Sequence, residues 1–506
     1  MPVMRKLLLL SSLILTACSG PSLVVVGEGV PPAPAIPELE VVVTDTAGQP
    51  IGEAQVAFGD LDNAATDDGG RAVSEWPRRS LTISASAPGF HPGSLEVLQL
   101  PDTRVVELAL DPVILNGVVR TAAGHGLPGT LVSLGETTTL TDFAGGFTIE
   151  RAVPGPVVAH KASYQGTSVE WDGEGSTVAL ALEPRTIRSI RASGPAAGDS
   201  DRWSELLEIA EDTEVNAIVV DTKDESGRVF YDTSVATAHE IGAVADHYVP
   251  AEVLADLRER DLYAITRIVT FQDRYLGAAY PEHSVWDVGT NQSWTTGGGE
   301  IFMDATDQAS WDYPLALAEE ACALGYDEIQ FDYVRFPTDG PVDRAVYDGP
   351  SDQAGRVTTI SSFLSEARSR LNPKGCAVAA DVFAVILSAN GDQGLGQRIE
   401  ELADSVDVIS PMIYPSHYST GWFGFECPNA FPGPVVSGAL DDGLPRVNGP
   451  AIVRPWIQDF SFGCGGSYGE VEVRSQIDAA EQRDLGWILW NAGSRFTKAA
   501  LDPAVQ

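Results

Sequence analysis

Basic residues are scarce. Lys and Arg number 32 against 71 Asp and Glu, a net charge of −39 over 506 residues. Nucleic-acid binding needs a basic face to meet phosphates, so that class is excluded, and anionic polymers in general are repelled. Metal-binding signatures are equally thin. No C-x-x-C or H-x-x-x-H spacing suits zinc, and no EF-hand-like loop suits calcium. No metal and no cofactor are therefore expected. Cysteine is also rare, with five in the chain. The N-terminus carries Arg5-Lys6 and then an apolar stretch over residues 7–15, too short to span a bilayer as a mature helix. At 44% the hydrophobic fraction is that of a globular protein. The length calls for two or three domains rather than one core.

The opening reads as an export signal over residues 1–18. Leu15-Thr-Ala-Cys18 resembles the bacterial lipoprotein cleavage box. That resemblance implies removal of the segment before Cys18, lipidation of the Cys18 thiol and attachment to the cell envelope. Ser19 in place of Asp points to an outer membrane where one exists. Residues 19–38 are small and Pro-rich, an extended tether.

Residues 39–184 have the period of two strands and of turns, not of helices. Short alternating runs are separated by Asp45-Thr-Ala-Gly48, Thr66-Asp-Asp-Gly-Gly70 and Pro88-Gly89. The scheme then repeats: Thr141-Asp-Phe-Ala-Gly-Gly146 echoes Thr66 onward at an offset of 75 residues. Two tandem β-sandwiches are expected, over 39–111 and 112–184. Both resemble the carboxypeptidase regulatory-like sandwich, through Gly48 to Val56 with Thr66-Asp67 and through Gly126 to Val132 with Thr141-Asp142. This implies a spacer or binding module. Trp76 and Trp171 are either core residues or glycan platforms.

From residue 185 to the C-terminus the rhythm changes to strand-like runs alternating with helix-like runs. Eight strands are expected, at 186–192, 216–221, 263–269, 328–334, 377–383, 406–412, 451–457 and 486–490. Eight such units over about 320 residues predict a (β/α)8 barrel with insertions. The other arrangement compatible with the pattern is an open doubly wound sheet. No G-x-G-x-x-G follows the first of these strands and no G-x-x-x-x-G-K occurs, so nucleotide binding is unsupported.

In a barrel, function gathers where the strands end. The fourth strand is preceded by a helix stopped at Gly325, alternates Ile329, Phe331 and Tyr333 with Gln330, Asp332 and Val334, and is closed by Pro337. Other strands end in Asp221 and Lys223, Arg267, Asp381, Tyr414 and His417, Trp456, Gln458 and Asp459, and Trp490 and Asn491. Carboxylates and amides hydrogen-bond hydroxyls, and Trp and Tyr faces pack on sugar rings, so the set suits a neutral polyhydroxylated ligand. Two acids facing one cleft can split a glycosidic bond. The loop over 286–299, polar, aromatic and Gly-rich, suits a cleft wall or lid.

Residues 186–500 resemble a family of proposed glycoside hydrolases whose barrels are distantly similar to the α-amylase group. The resemblance rests on Val220-Asp-Thr-Lys-Asp224, Asp304-Ala-Thr306, Asp327-Glu-Ile-Gln-Phe-Asp-Tyr-Val-Arg-Phe-Pro337, Ile409-Ser-Pro-Met-Ile-Tyr-Pro415 and Arg454-Pro-Trp-Ile-Gln-Asp459. It implies a nucleophile at Asp332, an acid at Asp381 and a further acid at Asp459, with Asp221 a rival acid. Two positions depart from the amylase pattern: Gln330 stands where an Arg is usual, and Asp381 where a Glu is usual.

Several side chains carry two readings. Arg267 and Arg335 either hold a carboxylate ionised or brace the barrel, and Lys223 beside Asp221 is similarly ambiguous. His417 donates to a sugar hydroxyl or stands by. Tyr414, Trp456 and Trp490 are subsite platforms or barrel-top core. The chain as a whole reads as an envelope-anchored glycosidase acting on a poly- or oligosaccharide, or else as a non-catalytic glycan-binding or scaffolding lipoprotein. An exported chain permits disulfides. Cys427 and Cys464 follow strands six and seven on one barrel face, and Cys322 and Cys376 lie at the opposite face. The expected pairs are therefore Cys322–Cys376 and Cys427–Cys464.

Overall fold

The computed structural model describes residues 36–504. Cys18, the signal-like segment and most of the Pro-rich stretch lie outside the described residues.

Residues 38–110 form a three-stranded and a four-stranded sheet. Their apolar alternation places Leu39, Val41 and Val43 in a buried row. Residues 114–182 repeat the three-plus-four arrangement. The repeated Thr-Asp motif has a physical cause. Thr66 Oγ1 donates to the Ile51 carbonyl at 2.6 Å and accepts from Ala54 N, and Thr141 Oγ1 does the same between the Leu127 carbonyl and Thr130 N. The Asp that follows caps a tight turn: Asp67 Oδ1 accepts from Gly69 N and Arg71 N, Asp142 Oδ1 from Ala144 N and Gly146 N. Trp76 and Trp171, left open between platform and core, are both buried.

The C-terminal region is an eight-stranded parallel barrel. Its strands are β1 (Arg188–Ala192), β2 (Ala217–Lys223), β3 (Tyr263–Val269), β4 (Glu328–Asp332), β5 (Ala377–Phe383), β6 (Val408–Ile413), β7 in two pieces (Ile452–Val453 and Trp456–Gln458) and β8 (Trp487–Trp490). Each pairs in parallel with its sequence neighbours, and β1 pairs with β8 to close the ring. A closed ring excludes the open doubly wound sheet. Seven of the connections carry a principal helix: α1 (Ser200–Asp212), α2 (Pro250–Glu259), α3 (Asp312–Leu324), α4 (Gln353–Leu371), α5 (Ile399–Ser405), α6 (Pro432–Gly443) and α7 (Glu470–Glu481). α3 ends at Gly325, whose φ of 110° no side-chain-bearing residue adopts readily.

Strand alternation divides the barrel into two apolar layers. Ile187, Ala217, Val219, Tyr263, Ile265 and Ile488 fill its interior, and Ile218, Val220, Ile268, Ile329, Phe331 and Val378 pack outward against the helices. The lower, amino-terminal end is closed by the loop from Lys161 to Tyr164 of the preceding β-rich module. Ser163 Oγ donates to Glu328 Oε2 at 2.7 Å, and Arg454 Nη1 donates to Glu328 Oε1 at 2.7 Å. Lys161 Nζ pairs with Asp407 Oδ1 at 2.9 Å, their side chains 3% and 2% exposed. The two disulfides are Cys322–Cys376 and Cys427–Cys464, the pairing expected from the strand-end positions.

Two local departures reshape the upper end. β4 stops at Asp332, not at Val334, because Tyr333 takes a left-handed φ of 48°. That kink resets the alternation: Val334 joins Phe331 in the outer core, and Tyr333 turns to the barrel mouth. β2 carries a bulge between Asp221 and Lys223. The extra residue sets Lys223 opposite outward-facing Ile268 instead of leaving it inward like Asp221. The 286–299 loop is not the cleft wall expected. It forms a small three-stranded sheet with Ala345–Val346, its Trp294 is buried with Nε1 donating to the Pro341 carbonyl, and it contributes nothing to the cavity below.

Candidate active site

A cavity of about 450 Å³ opens at the carboxyl ends of the strands. Its lining combines three acids and one cation, Glu225, Asp332, Asp381 and Arg267, with an aromatic wall of Tyr414, His417, Tyr418, Trp422, Trp456 and Trp490.

Arg267, on the inward face of β3, is the hub. Its Nε and Nη2 donate to Asp332 Oδ2 at 2.9 and 2.5 Å, its Nη1 reaches Asp221 Oδ1 at 3.4 Å, and its Nη2 pairs with Glu225. The guanidinium lies beside the Trp490 ring, 5.2 Å from its centroid. Burial disfavours its charge, but Glu225, Asp332, Asp221 and Asp381 more than offset that and hold its pKa well above the ordinary value. Asp332, at the tip of β4, has its other oxygen fixed by Tyr333 N at 2.6 Å. The left-handed kink thus also orients this carboxylate.

Asp381, on β5, is 1% exposed. Its Oδ1 accepts from Trp456 Nε1 at 2.6 Å, while its Oδ2 is buried with no hydrogen-bond partner. Burial, then the nearby Asp332 charge, push its pKa well above the usual carboxylate range; Arg267 and the Trp456 N–H pull the other way and do not prevail. This environment favours the protonated, neutral form of the Asp381 carboxyl. Asp332 Oδ2 and Asp381 Oδ2 lie 2.9 and 3.8 Å from the same Arg267 Nε, so their separation cannot exceed those two distances laid end to end. Paired acids that act on one glycosidic bond stand about 5–9.5 Å apart.

Of the residues singled out in the sequence, Asp332, Asp381, Arg267, Tyr414, His417, Trp456 and Trp490 line this cavity. The others do not. Asp221 is fully buried under Arg191, whose Nε reaches it at 3.2 Å, and under Arg267. Asp459 is spent on the C-terminal segment, accepting from Thr497 Oγ1 and N at 2.7 Å each. Lys223, turned by the bulge, pairs with Asp273 Oδ2 at 3.0 Å and donates to the Val269 carbonyl. Gln330 lies one layer below Asp332 and donates to Ser410 Oγ at 3.1 Å. Arg335 sits behind the wall, its guanidinium 4.8 to 5.3 Å from the centroids of Phe383, Tyr333 and Phe302. Gln458 ties the loops after β6 and β7, accepting from Ser416 N and donating to Asn429 Oδ1 and the Phe460 carbonyl. Asn491 shapes a turn, accepting from Gly493 N and donating to the Asp459 carbonyl.

Glu225, Tyr333, Phe383, Tyr418 and Trp422 line the cavity without having been singled out. Tyr418 and Trp422 were signalled by the aromatic density of the loop after β6. The Asp224-Glu225 pair just beyond β2 was a signal for Glu225. Burial pushes the Glu225 carboxyl up, but Arg267 and Arg191 outweigh that and bring it down to about 2. His417 is held below the usual imidazole range by burial, so it is neutral at pH 7. Among the described residues no cluster of His, Cys, Asp and Glu is arranged to hold a metal ion.

Among solved structures, a hypothetical protein from Ruminiclostridium thermocellum is similar at 33% identity over 38% of this chain and 97% of its own, with a TM-score of 0.35. The PgaB (BpsB) glycoside hydrolase domain from Bordetella bronchiseptica matches at 14% identity over 61% of this chain and 95% of its own, with a TM-score of 0.46. An alpha-amylase from Lactobacillus plantarum matches at 14% identity over 61% of this chain and 71% of its own, with a TM-score of 0.40. No curated protein matches the chain. The model of the family described as "Putative glycosyl hydrolase domain" matches residues 189–496, which span the barrel and every cavity-lining side chain named above. The chain belongs to that family.

Proposed function

We propose that this protein hydrolyses O-glycosidic bonds of a poly- or oligosaccharide, with Asp381 as general acid and Asp332 as nucleophile or general base. The observation that carries the reading is the contrast between the two carboxyl groups. Asp381 is buried in surroundings that favour its neutral form and has one oxygen without a hydrogen-bond partner, while Asp332 faces the same cavity under a guanidinium. A neutral acid donates its proton to the glycosidic oxygen, and a carboxylate opposite attacks the anomeric carbon or activates water. Divergent environments of paired acids are what acid and base assignments rest on. Arg267 and the backbone of Tyr333 hold Asp332 in place, and Tyr414, Trp456 and Trp490 offer faces and edges to the sugar rings. A neutral or positively charged glycan suits a chain of net charge −39. Lipidation at Cys18 places the enzyme on the cell envelope in this reading, with the two β-rich modules as sandwich-type spacers.

The experiment is Asp332→Asn in the full chain, assayed on a polysaccharide panel. Loss of hydrolysis by about a thousandfold or more, with unchanged folding, is expected for a removed nucleophile or base. Turnover that survives the substitution removes Asp332 from the chemistry. Glycan binding by the unsubstituted chain with no cleavage anywhere on the panel leaves the non-catalytic glycan-binding reading in its place.

A further inference from the structure

The amylase-like pattern implies an additional acid after strand seven, and in this chain that acid, Asp459, is bound to Thr497 and absent from the cavity. Yet a third carboxylate does face the cavity, from the other side of the barrel. We infer that Glu225, on the loop after β2, is the specificity-determining residue that accepts hydrogen bonds from hydroxyls of the sugar ring held between Asp332 and Asp381. The inference rests on the hydrolase-type site proposed above.

Four observations place it there. Glu225 lines the same cavity as the two acids. Its position is built rather than floppy. Asp224 and Gly227 close a turn around it, with Gly227 N donating to the Asp224 carbonyl at 2.9 Å, and Ser226 N donating to Asp224 Oδ1. Gly227 has a φ of 81°, and a Cβ there would come within 2.8 Å of Asp273 Oδ1, so this turn requires glycine at that position. The Gln272 amide also donates to the Glu225 carbonyl at 3.1 Å. Second, Arg267, at Oε1, is the one side chain among the described residues that hydrogen-bonds this carboxylate. Third, the side chain is 34% exposed, whereas those of Asp381, Asp221 and Arg267 are 1% exposed. It is the most accessible member of the charged cluster and the one a ligand reaches without displacing a buried pair. Fourth, Asp381 Oδ2 is buried without a hydrogen-bond partner at the same cavity, which marks the space between the two as built for a ligand. An ionised carboxylate is acceptor-only, so the complementary ligand group is a donor such as a ring hydroxyl.

The test is a substrate-deletion cycle. The probes are 4-nitrophenyl glycosides of glucose, galactose and mannose with their 2-deoxy and 3-deoxy counterparts. Binding is measured by calorimetry to full-length chain carrying Asp332→Asn, with and without Glu225→Ala. Glu225→Gln is run in parallel, because its amide oxygen still meets Arg267 if the alanine variant folds poorly. Where Glu225 is present, loss of one ring hydroxyl is expected to weaken binding roughly tenfold to a hundredfold, the scale of a hydrogen bond to a charged group. In the Glu225→Ala background the same deletion is expected to cost less than about twofold. Equal penalties in both backgrounds for both hydroxyls overturn the inference. Turnover of the parent glycosides by the unsubstituted chain is scored separately. Binding through Glu225 without any turnover overturns the hydrolase reading alone, turnover with equal penalties overturns the Glu225 assignment alone, and neither binding nor turnover of any probe overturns both.

Discussion

Trp456→Phe is the sharpest probe of the acid assigned at Asp381. The indole N–H is a donor only, and it points at Asp381 Oδ1 from 2.6 Å. Phenylalanine keeps an aromatic ring beside Trp490, whose centroid is 5.4 Å from that of Trp456, but removes the donor. A hydrogen bond to an ionised carboxylate contributes about 1.5–3 kcal/mol and one to a neutral carboxyl about 0.5–1.5 kcal/mol. Losing the donor therefore disfavours the ionised form by a further ~1.25 kcal/mol, the difference between the midpoints of those ranges, which is about one pKa unit. The direction agrees with the balance at Asp381, where burial and Asp332 raise the pKa and Arg267 and Trp456 resist. A general acid must hold its proton, so the rate falls as pH rises through its pKa. In kcat/KM measured against pH on a cleaved glycan, the alkaline limb of Trp456→Phe is expected about one unit above that of the unsubstituted chain. A lower kcat/KM from lost sugar contact does not by itself move that limb. A limb that stays in place or moves down shows that Asp381 is not the group whose proton is transferred.

Two stability predictions follow from other buried groups. The raised pKa of Asp381 means that the folded chain keeps a proton which the unfolded chain gives up near pH 4. Stability from this group is full below that pH and is lost as pH rises toward the folded value. Asp381→Asn has no such slope, so its unfolding free energy from urea titration, relative to the unsubstituted chain, is expected to climb from pH 4 upward by at most about 1.4 kcal/mol per unit. A constant difference between pH 4 and 7 contradicts this. At the lower end of the barrel, Lys161→Met leaves Asp407 buried without its cation, at a cost of about 3–5 kcal/mol in thermal unfolding. Burial raises the Asp407 pKa, but Lys161 and Arg368 outweigh it and hold it below the usual range. The deficit is therefore largest above about pH 4 and shrinks as pH falls through the folded pKa. A thermal midpoint unchanged at pH 7 shows that the β-rich module does not brace the barrel through this pair.

Much of the architecture was legible in the sequence because it follows from periodicity. Runs with the strand period, alternating with runs of helical period, cover 186–490, and each predicted strand overlaps one stave of the barrel. A closed barrel in turn dictates that strand ends meet at one mouth, which is why Asp332, Asp381, Arg267, Trp456 and Trp490 were identifiable before their contacts were known. The cysteine pairing was legible for the same reason, since chain order assigns each cysteine to the upper or lower face.

What periodicity could not decide was the fate of each strand-end side chain. One inserted residue in β2 sends Lys223 to Asp273 instead of the mouth, and one positive φ at Tyr333 swaps that ring with Val334. Neither event changes local composition, so neither leaves a mark in the sequence pattern. Asp459 and Glu225 are both acids just beyond a strand. Only the three-dimensional arrangement reveals that Thr497 returns from the C-terminus to occupy the first, while Arg267 draws the second into the cavity. The sequence by itself determined the barrel and which staves bear carboxylates, because hydrophobic alternation is a local property. The tertiary structure alone decided which carboxylate is pushed toward its neutral form, which is held ionised and which is already engaged, because those depend on burial and on partners many residues away.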